Sequence, residues 1–118
     1  MLENQNLAYK TSWRDEYLKW IGGFANSNGG KLFIGVNDEG KVTGIENHRE
    51  LLELLPNKIR DVLGLYVEIN LRNEGEKYYL EIVVPRYDVP ISLRGKYFIR
   101  KRSGPILFEY VRQNRKIW

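Results

Sequence analysis

Apolar positions in this chain switch period several times, and each switch marks an element. Trp13, Tyr17, Trp20, Ile21 and Phe24 fall at i, i+4, i+7, i+8 and i+11, one face of a helix. Ser12 is placed to cap it, with Asp15 three residues on. The aromatic stripe is expected to be core. Gly22 and Gly23 weaken this helix by about 1 kcal/mol each relative to Ala, which predicts close backbone packing there. Gly29 or Gly30 supplies the stop. Before this helix, NLAYK (6–10) alternates as a short strand. After it, KLFIGV (31–36) is a strand buried on both faces or nearly so, NDEG (37–40) a turn, and KVTGI (41–45) the returning hairpin partner. Gly35 inside the strand suggests that another backbone approaches closely.

HRELLELLPNKIRDVLG restores helical spacing, with Asn47 and Glu50 as a capping box and Gly64 as a stop. Pro56 predicts a break or kink at Leu55. YVEINLR (66–72) and YYLEIVVP (78–85) alternate around the loop NEGEK. KYFIRKR (96–102) is a basic strand. Its alternation places Lys96, Phe98 and Arg100 on one face, with Tyr97, Ile99 and Lys101 on the other. SGP breaks it, and ILFEYVRQNRKIW reads either as a strand turning into a helix or as a helix. The expected architecture is α+β, a mixed sheet packed with two to three helices, in one domain over 1–118 with 105–118 as a C-terminal extension.

Composition narrows the chemistry. The chain lacks cysteine and has one histidine, His48, so a thiolate or histidine metal site is not expected. No apolar run reaches the roughly 20 residues of a membrane helix. MLENQNLAYK has no signal-peptide pattern, and the expected location is cytoplasmic. No cofactor is expected. Charge is uneven: residues 1–85 carry 10 Lys or Arg against 13 Asp or Glu, whereas 86–118 carry 9 against 2. Such asymmetry fits a surface for a polyanion.

The glycine-rich stretch FANSNGGKLFIGVNDEGKVTGIE (24–46) is not a phosphate loop. Phosphate loops run strand, glycines, helix, so that a helix N-terminus meets the anion. Here the order is reversed, and GxxxxGK[ST] and GxGxxG are both absent. The acids do not follow the calcium-loop spacing either.

This stretch resembles the signature of the Schlafen AlbA-like domain, FANxxGG followed by xLxIGVxDxG and VxG. The resemblance extends to ENQNLAYKTSWRDEYLKWI, PNKIRD, YLEIVVP and YFIRKRSG, spanning residues 3 to 104. It implies a DNA-binding domain of bacterial transcriptional regulators, which are often longer and continue into further domains. Some Schlafen relatives resemble metal-dependent RNA endonucleases built on three acids. Carried over, the first acid matches Glu3 and the third matches Asp38. The second falls on Ala8, within LAYK, so the acidic site is expected to be vestigial and catalysis is not expected. Lys10 matches the motif's lysine. The basic residues expected to contact phosphates are Lys10, Arg94, Lys96, Arg100, Lys101, Arg102 and Arg112. DNA is the expected partner, with RNA as an alternative. A homodimer is expected by resemblance to Alba-type folds. The competing reading is a protein-interaction or oligomerisation module.

Overall fold

The computed structural model describes residues 4, 6–101 and 104–108. The fold is α+β, with two sheets and two α-helices among the described residues. The first sheet has the order β1-β2-β4-β3, formed by β1 (Leu7–Lys10), β2 (Gly30–Ile34), β4 (Lys77–Val84) and β3 (Glu68–Glu74). β1 runs parallel to β2, and the other pairs are antiparallel. The second sheet joins β5 (Ser92–Leu93), β6 (Lys96–Lys101) and β7 (Gly104–Phe108), all antiparallel.

The first sheet alternates as a half-covered sheet should. Ala8, Leu32, Ile34, Leu80, Ile82 and Val84 are buried beneath α1 (Leu18–Ala25) and α2 (His48–Leu63). On the opposite face lie Tyr9, Phe33 and Tyr79, packed around Val36 and Val42. KLFIGV is expected to be buried on both faces or nearly so. Instead, Phe33 is half-buried and Lys31 exposed on the face that no helix covers.

The first helix starts later than expected. Ser12 caps nothing; Asp15–Tyr17 forms a 3-10 turn and α1 begins at Leu18. Asp15 instead accepts bonds from Trp13 Nε1 and Lys58 Nζ, which ties the turn to α2. Only Phe24 of the aromatic stripe is fully buried; Trp13, Tyr17 and Trp20 sit at the core's rim. The expected close packing is found at Gly23. A Cβ there would lie 3.3 Å from the backbone of both Ile99 and Arg100, because β6 crosses directly over α1.

Pro56 does not split the second helix, which runs unbroken from His48 to Leu63. Leu51, Leu55, Ile59 and Leu63 form one buried stripe on both sides of the proline. Each such side chain contributes about 1.5–3 kcal/mol by burial. Together they outweigh a proline cost of about 3 kcal/mol. Asn47 precedes the helix without a side-chain capping bond, and Gly64 ends it in the left-handed conformation.

KVTGI does not return as a full hairpin partner. Val36 and Val42 make a single bridge, and the Gly35 carbonyl accepts from Thr43 and Gly44. The ladder stops because Gly35 adopts φ +101, where a Cβ would meet that of Tyr79 at 3.0 Å. SGP does not end the sheet: Gly104 and Pro105 open β7, opposite Lys101 and Arg100.

Candidate nucleic-acid interface

The second sheet is fastened to the first layer by the polar residues after α1. Asn26 Nδ2 donates to the carbonyls of Ile91 and Phe98 at 2.8 and 2.9 Å, and its Oδ1 accepts from Ile91 N–H at 2.7 Å. Ser27 Oγ accepts from Arg100 N–H at 2.9 Å. The ANS segment therefore serves as a bracket for β6 and its approach.

That bracket positions the basic residues. Arg94 and Gly95 form the two-residue turn between β5 and β6, with φ of 50 and 81. Both positive values are the signature of a type I′ turn, which favours Asn, Asp or Gly. Arginine in this conformation costs on the order of 1 kcal/mol. The strain leaves an exposed cation at the hairpin tip. Lys96 follows, also exposed, and Lys101 is exposed at the other end of β6. Lys96 and Lys101 lie five residues apart, about 17 Å along an extended strand. Their opposite parity sends them to opposite faces, so they form no single stripe.

Arg100 has a different placement. It is 5% exposed, and its guanidinium carbon lies 5.4 Å from the Phe24 ring centre. Its Nη2 donates to the carbonyls of Asn4 and Leu7 at 3.0 and 3.2 Å, and Nη1 to that of Lys101. The side chain pins β6 against the start of β1. Arg102, Arg112 and Glu3 lie outside the described residues.

Lys10 sits over an aromatic ladder. Its ammonium is 4.3 Å from the Trp20 ring and 5.1 Å from that of Tyr17. Trp13, Tyr17 and Trp20 stack edge-to-face at 6.0 and 5.4 Å. Lys19, a residue missed in the sequence reading, is exposed 5.8 Å from the Phe98 ring. The hydrogen bond from Lys58, then that from Trp13, holds the Asp15 carboxyl below its ordinary range. Lys58 itself is neutralised by Asp15 at 2.8 Å.

Of the two acids carried over from the family pattern, Asp38 lies among the described residues. Asp38 is exposed in the 37–40 turn, which the Asn37 side chain organises by accepting from the N–H groups of Glu39 and Lys41. Ala8 is 0% exposed and belongs to the helix-covered core. Among the described residues, no group of three His, Cys, Asp or Glu could hold a metal ion. The open sheet face carries a depression of about 360 Å³ lined by Tyr9, Lys31, Phe33, Val42 and Tyr79.

No curated protein matches the chain. Among solved structures, the DIP2311 protein of Corynebacterium diphtheriae superposes with a TM-score of 0.74 at 16% identity. That match covers 93% of this chain but 27% of the other, so the chain spans about a quarter of that relative's length. The N-terminal domain of a protein from Nitrosomonas europaea, described as related to the ATP-dependent DNA helicase RecG, superposes with a TM-score of 0.63 at 24% identity. That match covers 78% of this chain and 72% of the other. At these identities the likeness establishes a shared fold. The family model described as Schlafen, AlbA_2 matches residues 3–107, nearly the whole chain, and the chain belongs to that family.

Proposed function

We propose that this domain is a non-catalytic nucleic-acid-binding module that contacts DNA phosphates, as part of a transcriptional regulator. The observation that carries the reading is the β5–β6 hairpin tip. Arg94 is held there, exposed, in a strained conformation beside Lys96, and Lys10 lies over the Tyr17 and Trp20 rings. Strain kept at an exposed cation is a mark of function rather than of folding. Cations next to half-exposed aromatic rings suit a backbone with bases alongside. Family membership, and a fold shared with a domain of a helicase-related protein, support the nucleic-acid class. A homodimer would present the hairpin twice, and longer relatives agree with further domains in a parent protein.

The contact set comprises Arg94, Lys96 and Lys19 together with Lys10 on its rings, while Lys101, on the other face of β6, stands outside it. Arg100 acts by holding β6 in place. The test is fluorescence anisotropy with a labelled duplex, repeated with single-stranded DNA and with RNA, in Mg²⁺ with cleavage checked on a gel. Four phosphate contacts predict a fall in affinity of roughly 100-fold between about 50 and about 200 mM salt. Arg94→Gly should weaken binding and lower the salt slope by about one, while stabilising the fold by about 0.5–1 kcal/mol. Unchanged affinity in that variant, or no binding at low salt, would remove the hairpin from this role. Cleavage abolished by a chelator would overturn the non-catalytic reading.

A further inference from the structure

Among the described residues the first sheet has two outer strands, and a side chain attends one of them at its edge. The Leu7 carbonyl of β1 is bonded by the Arg100 guanidinium. β3 lies at the other edge, seven residues long, with no described strand beyond it. Its outward groups follow from the turn. Gly75–Glu76 is a two-residue turn, so Glu74 and Lys77 form a hydrogen-bonded pair, and so do Arg72–Tyr79, Asn70–Glu81 and Glu68–Val83. The intervening pairs are not bonded to each other. Tyr78, opposite Asn73, confirms this parity: its carbonyl turns away from β3 to accept from Ile45 N–H at 2.8 Å. Ile69, Leu71 and Asn73 therefore present free backbone donors and acceptors along the open edge. Leu71 remains 41% exposed beside them.

The geometry points to pairing of β3 with β3 of a second copy, antiparallel, about a two-fold axis through Asn70. In this register Glu68 stands opposite Arg72 of the second copy, twice, and Ile69 stands opposite Leu71, twice. Outward-facing backbone groups meet at 69 and 71, as the antiparallel ladder requires. Shifting the axis to Leu71 puts Glu68 opposite Glu74, a like-charge pair. Charge therefore favours the Asn70 register over the Leu71 one. The charged side chains are already arranged for it. Asn70 Nδ2 holds the Glu68 carboxylate at 2.8 Å, and Arg72 binds Glu81 through Nη2 at 2.9 Å, one of a guanidinium's five donors. The result is one eight-stranded sheet across two chains. This identifies the surface of the expected homodimer and stands independently of nucleic-acid binding.

The chain has no cysteine, which permits a clean crosslinking test. Asn70 pairs with itself as a non-hydrogen-bonded pair, with Cα atoms about 4.5 Å apart, within disulfide reach. Asn70→Cys should give a disulfide-linked dimer under mild oxidation, and Asn73→Cys should not. Sedimentation velocity of the wild-type chain should show a concentration-dependent dimer. Glu68→Lys should weaken it about tenfold or more, by placing like charges opposite each other twice, with the melting curve unchanged at concentrations where both chains are monomeric. A wild-type chain that stays monomeric to about 200 μM would overturn the proposal, as would equal crosslinking at 70 and 73 or a dimer indifferent to Glu68→Lys. Duplex binding, measured separately by anisotropy, does not enter any of these readouts.

Discussion

Glu81 shows how one residue's setting governs a measurable property. Its side chain is 9% exposed on the sheet face that no helix covers, and it accepts from Asn70, Arg72 and Lys31. Burial pushes its pKa up. The bonds from Asn70, Arg72 and Lys31 together outweigh burial and hold the carboxyl below its ordinary 4.5. A depressed folded pKa means that the unfolded chain takes up the proton first as pH falls. The stabilisation is therefore complete above about pH 4.5 and lost as pH falls through the lower folded value. Melting temperature should stay level from neutral pH to about 5 and then fall, with a shallower fall in Glu81→Gln. Lys31 and Arg72 are about half exposed, so Glu81→Ala should cost only about 1–2 kcal/mol, below the value for a fully buried pair. A steep acid loss that persists unchanged in Glu81→Gln would assign it to other carboxylates.

At the scale of elements, periodicity located most of the helices and strands and failed where two principles competed. The proline rule predicts a break at Leu55, yet four buried side chains carry α2 through it. Pro56 is exposed and still costs the helix a backbone bond. Pro56→Ala should therefore stabilise the protein by about 1–2 kcal/mol, read as a higher urea midpoint with an unchanged m-value. A lower midpoint would show that the proline packs productively. Other boundaries moved for similar reasons. β3 begins at Glu68 rather than Tyr66, because the Tyr87 hydroxyl takes both the N–H and the carbonyl of Tyr66. Ser12 lost its capping role to a turn whose Asp15 is held by Trp13 and Lys58. The two-residue strand β5 is too short to show a period.

Across the whole molecule, polar groups couple the second sheet to the first layer, and Asn26 is one of them. Its three bonds to Ile91 and Phe98 join residues 65 and 72 positions away. Asn26→Ala leaves two carbonyls and one N–H without that partner and should cost about 3 kcal/mol. Amide exchange should rise first at Ile91 and along β5–β6, with α2 and β4 protected longer. Uniform loss of protection would mean that the sheets unfold as one unit. The same coupling links stability to the proposed interface, because it sets the position of the Arg94 tip. By itself, the sequence determined the family, through the spacing of FANxxGG and IGVxDxG. It determined the α+β class, the identity of most elements and the surplus of cations after residue 85. These are local or compositional properties, written in period and order. Tertiary structure decided which cations are exposed: Arg100 and Arg94 look alike in a basic run, yet one is buried against carbonyls and the other projects from a strained turn. It also placed Lys10 on its aromatic ladder and left β3 at an open edge. Burial and strand order arise from contacts between distant segments, and no window of the sequence contains both partners.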